Sequence, residues 1–262
     1  MNKREVLQKL TSDGDMYLLL GRLWDLWERW RTRNTPQHSA FLSPAEQELA
    51  VHLMHTLGTK EGFVFDGGYD GAVRRQLCFL PDWADEPEDS LRALRCSWYR
   101  TEQVGHRDLL GSMMGLGLTR ESIGDILPDS ENCCADLLVT DAAAPYLLQQ
   151  WQQAGRVSIQ VREISLHELH TPTASYVERR DTVSSLRLDS VVSSAFGMAR
   201  GKAQEAITAG KVQVNALPCD KADRAVTQGD VISLRGLGKS ELSHVGGTSK
   251  KGRICITIKR YT

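Results

Sequence analysis

Apolar positions are most regularly spaced in the last third of the chain. From Arg187, the residues Leu188, Val191, Val192 and Phe196 fall at three- and four-residue steps and give one helix an apolar face. Ala203, Ala206 and Ile207 do the same for a second helix, which Gly210 ends. VQV at 212–214 and GDVISLRGLG from Gly229 then predict two strands, with Asn215 opening the turn after the first. The two helical faces are expected to pack together and on Val212, Val214, Val231 and Ile232.

Near the N-terminus, Leu19, Leu20, Leu23, Trp24, Leu26, Trp27 and Trp30 recur at helical spacing, with Arg22, Glu28, Arg29 and Arg31 at other positions. The tryptophans could stack on bases, but a face packed against the neighbouring domain is the better reading. Ser43, Pro44 and Glu46 form a capping box for a second helix that runs to Gly58. Residues 1–60 thus predict a helical N-terminal region. Residues 61–170 alternate. GFVFDGGY, QLCFLPDW and LRALRCSWY predict three strands, and HRDLLGSMMGLG a helix closed by glycine. TRESIGDIL reads as a turn and short helix, NCCADLLVT as a strand, AAPYLLQQWQQAG as a helix and VSIQVREIS as a strand. The pattern predicts an α+β fold with a ferredoxin-like or RRM-like central domain. The aromatic signature of a true RNA-recognition motif is not evident. TPTASYVERRDTVSS reads as a linker or a strand leading into the last domain, residues 181–262.

Composition changes little until it is divided along the chain. Hydrophobic content of 41% and charged content of 25% are ordinary for a globular protein. No apolar run is long enough for a membrane span and no apolar signal core opens the chain, so a cytoplasmic location is expected. None of the six cysteines forms a C-x-x-C pair. Cys133 and Cys134 enter an apolar strand, where burial is expected rather than redox work. The net charge of −1 hides an asymmetry: residues 181–262 carry 13 Lys and Arg against 7 Asp and Glu, and the remainder 19 against 26. A basic segment on an acidic body is the electrostatic footprint of a phosphate-binding module.

The chemistry of that segment agrees. With apolar groups turned inward, Arg200, Lys202, Gln204 and Lys211 are left outward from the second helix and its exit. A helix N-terminus attracts phosphate through its free N–H groups and dipole. Arginine adds a planar fork and lysine a mobile point charge. This arrangement resembles the S4 (αL) domain, a small RNA-binding module. The candidate RNA-binding residues are Arg187, Arg200, Lys202, Gln204, Lys211 and Asn215. Recognition of shape and backbone rather than sequence is expected.

FLSPAEQE at 41–48, FDGGYDGAVRRQL at 65–77, HRDLLGSMMGLGLTRESIGDIL at 106–127 and KKGRICITIKRY at 250–261 occur in an order and spacing similar to the YlmH-type S4-domain RNA-binding proteins. The resemblance covers nearly the whole chain. It implies a non-catalytic cytoplasmic factor that associates with the ribosome through rRNA or tRNA, in large-subunit quality control or the rescue of stalled ribosomes. A monomer bound to the large subunit is expected, with no membrane partner and no cofactor. Arg74, Arg75, His106, Arg107 and Arg120 are then candidates for a second RNA surface; the alternative is a set of ordinary surface charges. Two departures stand out. The S4 pattern usually has serine flanking the arginine at the second helix start, where this chain has Ala199 and Gly201, and glycine after the turn asparagine, where it has Ala216.

Catalytic patterns fail on inspection. GLGKS at 236–240 lacks the upstream glycine of a P-loop, since Ser233 stands there. HRDL at 106–109 lacks a kinase asparagine, which would fall at Met113. His52 and His55 find no completing ligands, and His167, Glu168 and His170 lack zincin spacing, so no metal site is expected. Gly115 and Gly117 follow no strand. The alternative function is an RNA-modifying enzyme, such as a pseudouridine synthase, that uses S4 for targeting. Its catalytic aspartate would need an R-x-D context, but the triplet at 187–189 opens the S4 unit, where it is structural.

Overall fold

A computed structural model describes residues 2–171, 176–249 and 251–261. The chain divides into two compact units, Met1–Pro172 and Thr173–Thr262.

The first unit opens with helices α1 (Lys3–Leu10) and α2 (Gly14–Arg33), strand β1 (Gln37–Leu42) and helix α3 (Pro44–Thr56). The predicted capping box is present: the Ser43 hydroxyl accepts from the Glu46 N–H, and the Glu46 carboxylate from the Ser43 N–H. Strands β2 (Phe63–Asp66) and β3 (Arg75–Phe79) complete an antiparallel sheet of order β1-β3-β2. The boundary expected at residue 60 therefore falls inside one sheet. QHSAFL, not anticipated as a strand, pairs with β3 and buries Phe41 and Leu42. The tryptophan face of α2 is packed rather than offered to bases. Trp24 and Trp27 are buried with Leu20, Leu23 and Leu53, and Trp30 stacks on Phe79 with ring centroids 5.3 Å apart.

The remainder of this unit runs β4 (Leu91–Ser97), α4 (His106–Gly115), β5 (Ile123–Asp129), β6 (Cys134–Thr140), α5 (Ala144–Gln150), a small hairpin of β7 (Gln153–Ala154) and β8 (Val157–Ser158), and β9 (Gln160–Ile164). Without the hairpin this is βαββαβ. The antiparallel sheet order β5-β6-β4-β9 is the ferredoxin-like arrangement. Leu94, Cys96, Leu137 and Val139 face α4 and α5. Leu91, Ala93 and Leu138 alternate to the other face, where Phe41, Tyr69 and Leu166 cover them. The face that an RRM-like sheet would offer to bases is thus occupied by the chain itself.

Two expected helices are shorter than predicted. TRESIGDIL is one 3₁₀ turn at Arg120–Ser122 followed by β5. Pairing with β6 buries Ile123, Ile126 and Leu127. Gly124 lets the Phe41 ring approach so closely that an added Cβ would lie 2.6 Å from it. The helix predicted through QQWQQAG stops at Gln150, and the following residues turn into the β7–β8 hairpin.

The second unit contains β10 (Tyr176–Val183), α6 (Leu188–Phe196), α7 (Arg200–Thr208), β11 (Val212–Val214), β12 (Leu217–Pro218), β13 (Val231–Leu234), β14 (Gly238–Thr248) and β15 (Ile254–Tyr261). The stretch expected as linker or strand is β10, apart from 172–175, which lie outside the described residues. The antiparallel sheet runs β10-β15-β14-β13-β11-β12. Leu188, Val191, Val192, Phe196, Ala203 and Ile207 pack on Val212, Val214, Ile232, Ile256 and Ile258, as the sequence pattern predicts except at Val231, which strand alternation turns to the face opposite Ile232 and out of this core.

Candidate RNA-binding surface

Arg187 stands at the N-cap position of α6 and Arg200 begins α7. Gly197, in the left-handed conformation at φ 65°, ends α6 and sends the chain back so that the two helix starts adjoin. Asp189 lies between them with no solvent exposure. Its carboxylate accepts from Arg187 Nε and Nη2 at 3.3 Å each and from Arg200 Nε and Nη2 at 3.0–3.1 Å. Gln204 Nε2 donates to it at 2.8 Å. Burial alone would raise the Asp189 carboxyl. The hydrogen bonds from Gln204, Arg187 and Arg200, with the Arg200 charge, instead hold it at about 2.

Two guanidinium groups thus share one carboxylate, which leaves an excess positive charge. Their side chains remain 42% and 46% exposed, so one edge of each fork is fixed and the other faces solvent. Asp189 is the residue whose importance the sequence conceals: the triplet was legible as structural, but not as the hub that orients both arginines. Lys202 is exposed on the first turn of α7. No side chain caps that turn, because Ala199 stands at the cap. Its first N–H groups remain available to an anion. Lys211 is exposed just past the helix, and its N–H closes the end of α7 on the Ala206 carbonyl at 3.0 Å.

Asn215 has a different role. With Ala216 it makes the two-residue turn between β11 and β12, both with positive φ, 51° and 64°. Its amide donates to Asp230 at 2.9 Å and accepts from the Val231 N–H at 2.8 Å. Both ends of this side chain are used inside the fold, so it holds a turn rather than offering itself to RNA.

Beside Arg200 opens a polar cleft of about 480 Å³, lined among others by Arg179, Arg253, Ser190, Ser193 and Ser194. Arg253 is fixed by donating to the Thr182 carbonyl at 2.6 Å and hydroxyl at 3.1 Å. Arg179 lies 3.5 Å from Asp181, whose carboxylate also accepts from the Ser194 hydroxyl. Neither Arg179 nor Arg253 is among the candidates that the sequence predicts. The signal was the VERRD run: in a strand, Arg179 and Asp181 share a face.

The second candidate set separates. Arg74 donates to the carbonyls of Ile123, Phe41 and Arg120 at 2.9–3.1 Å, and burial, with the Arg120 charge, lowers its pKa. It ties β1 to the start of β5 and is not a free phosphate fork. The Val73 and Arg74 N–H groups and the Tyr69 hydroxyl converge on the Asp125 carboxylate, so the FDGGYDGAVRRQL segment is a loop stitched to β5. Arg120 is half-buried, and Arg75, which is exposed, donates to the Ala72 carbonyl. His106 and Arg107 are exposed at the start of α4, whereas Arg120 follows its end. Of these five, Arg74 is committed to backbone carbonyls, while Arg75, His106 and Arg107 are exposed.

A two-helix start carrying solvent-facing guanidinium groups on an antiparallel sheet, in a chain that also holds an α+β unit, defines an RNA-binding protein of the S4 class. The S4 domain family matches residues 186–232, and the family described as "Putative RNA-binding domain in YlmH" matches residues 99–168. The "Ribosome-associated protein quality control protein P2" of Bacillus subtilis (strain 168) is 34% identical over 224 residues, 84% of this chain and 85% of that relative. A solved structure, "Cell division protein ylmH from Streptococcus pneumoniae", aligns with TM-score 0.49 at 15% identity, over 60% of this chain and 96% of that one. The chain belongs to the YlmH family of S4-domain RNA-binding proteins.

Proposed function

We propose that this protein is a non-catalytic, monomeric, cytoplasmic factor that binds rRNA or tRNA on the large ribosomal subunit and serves ribosome-associated quality control. The observation that carries the reading is the Asp189 hub. It holds Arg187 and Arg200 with their outer edges toward solvent, beside an uncapped helix start and Lys202. Such a surface suits phosphates in fixed positions and reads no base edges, as expected for recognition of a folded RNA by shape. The name of the Bacillus subtilis relative supports the ribosome as the place of action. Among the described residues no helix is long and apolar enough to cross a membrane. In the second RNA surface, Arg75, His106 and Arg107 are the candidates that are exposed.

The test is sedimentation of tagged protein from its own cell lysate through sucrose gradients at low and high salt. Comigration with the large subunit that is lost at high salt is expected. Protein that stays at the top at low salt, with ribosomes intact, would reject ribosome association and point to free tRNA. Purified protein should consume no RNA, nucleotide or methyl donor; turnover of any of these would restore the enzyme reading.

A further inference from the structure

We propose that Asp129, Cys134 and His170 form a binding site for a zinc-class divalent cation at the edge of the four-stranded sheet. The carboxylate oxygen, thiol sulfur and imidazole nitrogen lie within 4.8 Å of one another. Asp129 and Cys134 are directly opposed residues of the β5–β6 ladder, so the hairpin itself sets their spacing and places both side chains on one face. His170 arrives from more than thirty residues downstream. Its backbone N–H donates to Asp136 Oδ2 at 2.7 Å, and its Nδ1 lies 3.1 Å from Asp129 Oδ2. Sequence spacing pointed away from a metal because the set mixes adjacent strands with a distant segment. No C-x-x-C or H-x-x-x-H pattern announces it.

The donor chemistry selects the ion. Thiolate and imidazole with one carboxylate suit Zn²⁺ or Co²⁺, whereas Mg²⁺ and Ca²⁺ prefer oxygen alone. Tetrahedral zinc with bonds of about 2.0–2.3 Å places ligand atoms roughly 3.3–3.7 Å apart. The present set must close by about an ångström at its widest. The His170 side chain is 43% exposed, which leaves it room to rotate toward Cys134. Three protein ligands leave a fourth position for water.

The local charge permits a cation. Arg95 is the nearby competitor, but its fork is committed to Asp136 at 2.6–2.7 Å and to the Glu168 carbonyl at 2.7 Å. Asn132 donates twice to Asp129 and orients its carboxylate. Coordination requires Cys134 to give up its thiol proton to solvent, while His170 coordinates as neutral imidazole. The bound ion would fasten the segment after β9 to the β5–β6 hairpin.

The test uses tag-free full-length protein stripped with chelator and titrated with Co²⁺, whose thiolate charge-transfer band reports sulfur coordination. A saturable one-to-one band, displaced by Zn²⁺, is expected. It should vanish in Cys134→Ser and persist in Cys133→Ser. Asp129→Asn and His170→Ala, both at the surface edge, should weaken Co²⁺ binding at least about tenfold while circular dichroism stays unchanged. No saturable binding, a band that survives Cys134→Ser, a band lost with Cys133→Ser, or affinity unaltered in both edge variants would overturn the site.

Discussion

At the scale of single residues, Asp189 decides both stability and surface chemistry. A carboxyl with no exposure, held at about 2, binds its proton less readily folded than unfolded. The stability it adds is present above about pH 4, its unfolded range, and is lost as pH falls toward 2. The contribution is about 2 kcal/mol. Asp189→Asn should therefore destabilise the Thr173–Thr262 unit by about 2–3 kcal/mol at neutral pH and flatten its acid limb. All six tryptophans precede residue 172, so their fluorescence reports the first unit alone. Calorimetry should show the second unit's transition falling while the tryptophan-detected transition stays in place. A shift in both, or in neither, would contradict the assignment. The same geometry governs how the surface is probed. Arg200→Glu would set a carboxylate against buried Asp189 and confound binding with folding, so charge reversal there is not a clean test. Arg200→Gln keeps a donor toward Asp189 while removing the charge, and it should weaken RNA binding with a smaller loss of stability.

At the scale of elements, the start of α7 carries a cost that the sequence made visible. Ala199 gives that turn no cap. Ala199→Ser should raise the stability of the second unit by about 1 kcal/mol, read from its calorimetric midpoint. An unchanged midpoint would mean that the turn already finds other partners. The turn between β11 and β12 is a parallel case: Ala216 sits at φ 64°, where an L side chain is disfavoured. Ala216→Gly should stabilise by about 1 kcal/mol. Both departures were legible because caps and tight turns are local. The α6–α7 pair was legible for a related reason: its apolar spacing and Gly210 lie within a few turns of chain. β1 and β5 were not. His38 and Ser39 interrupt the apolar pattern of the first, and the polar Arg120–Ser122 turn disguises the start of the second. Both become strands only through partners distant in sequence, β3 for one and β6 for the other. The site divides in the same way. Exposed cations beside a helix start can be read from spacing, but Arg74 facing three carbonyls, or Asp189 between two arginines, is a tertiary fact.

At the scale of the whole molecule, charge is segregated along the chain: 13 basic residues against 7 acidic in 181–262, and 19 against 26 elsewhere. Attraction to phosphate should therefore come mainly from the second unit, through few contacts. Each neutralised phosphate contributes about −0.7 to −0.9 to the slope of log affinity against log salt. Arg187, Arg200 and Lys202 engaged together would give a slope on the order of −2 to −3. Lys202 is the best residue on which to test this. It is exposed and on the first turn of α7, where a carboxylate is compatible with the helix dipole. Lys202→Glu should leave the fold intact, weaken binding to large-subunit RNA and reduce the magnitude of the salt slope by about one. Weaker binding with an unchanged slope would mean that Lys202 touches no phosphate and acts only through the general field. Unchanged affinity and slope would remove Lys202 from the interface and leave Arg200 and the cleft it lines with Arg179 and Arg253 as the next surface to test.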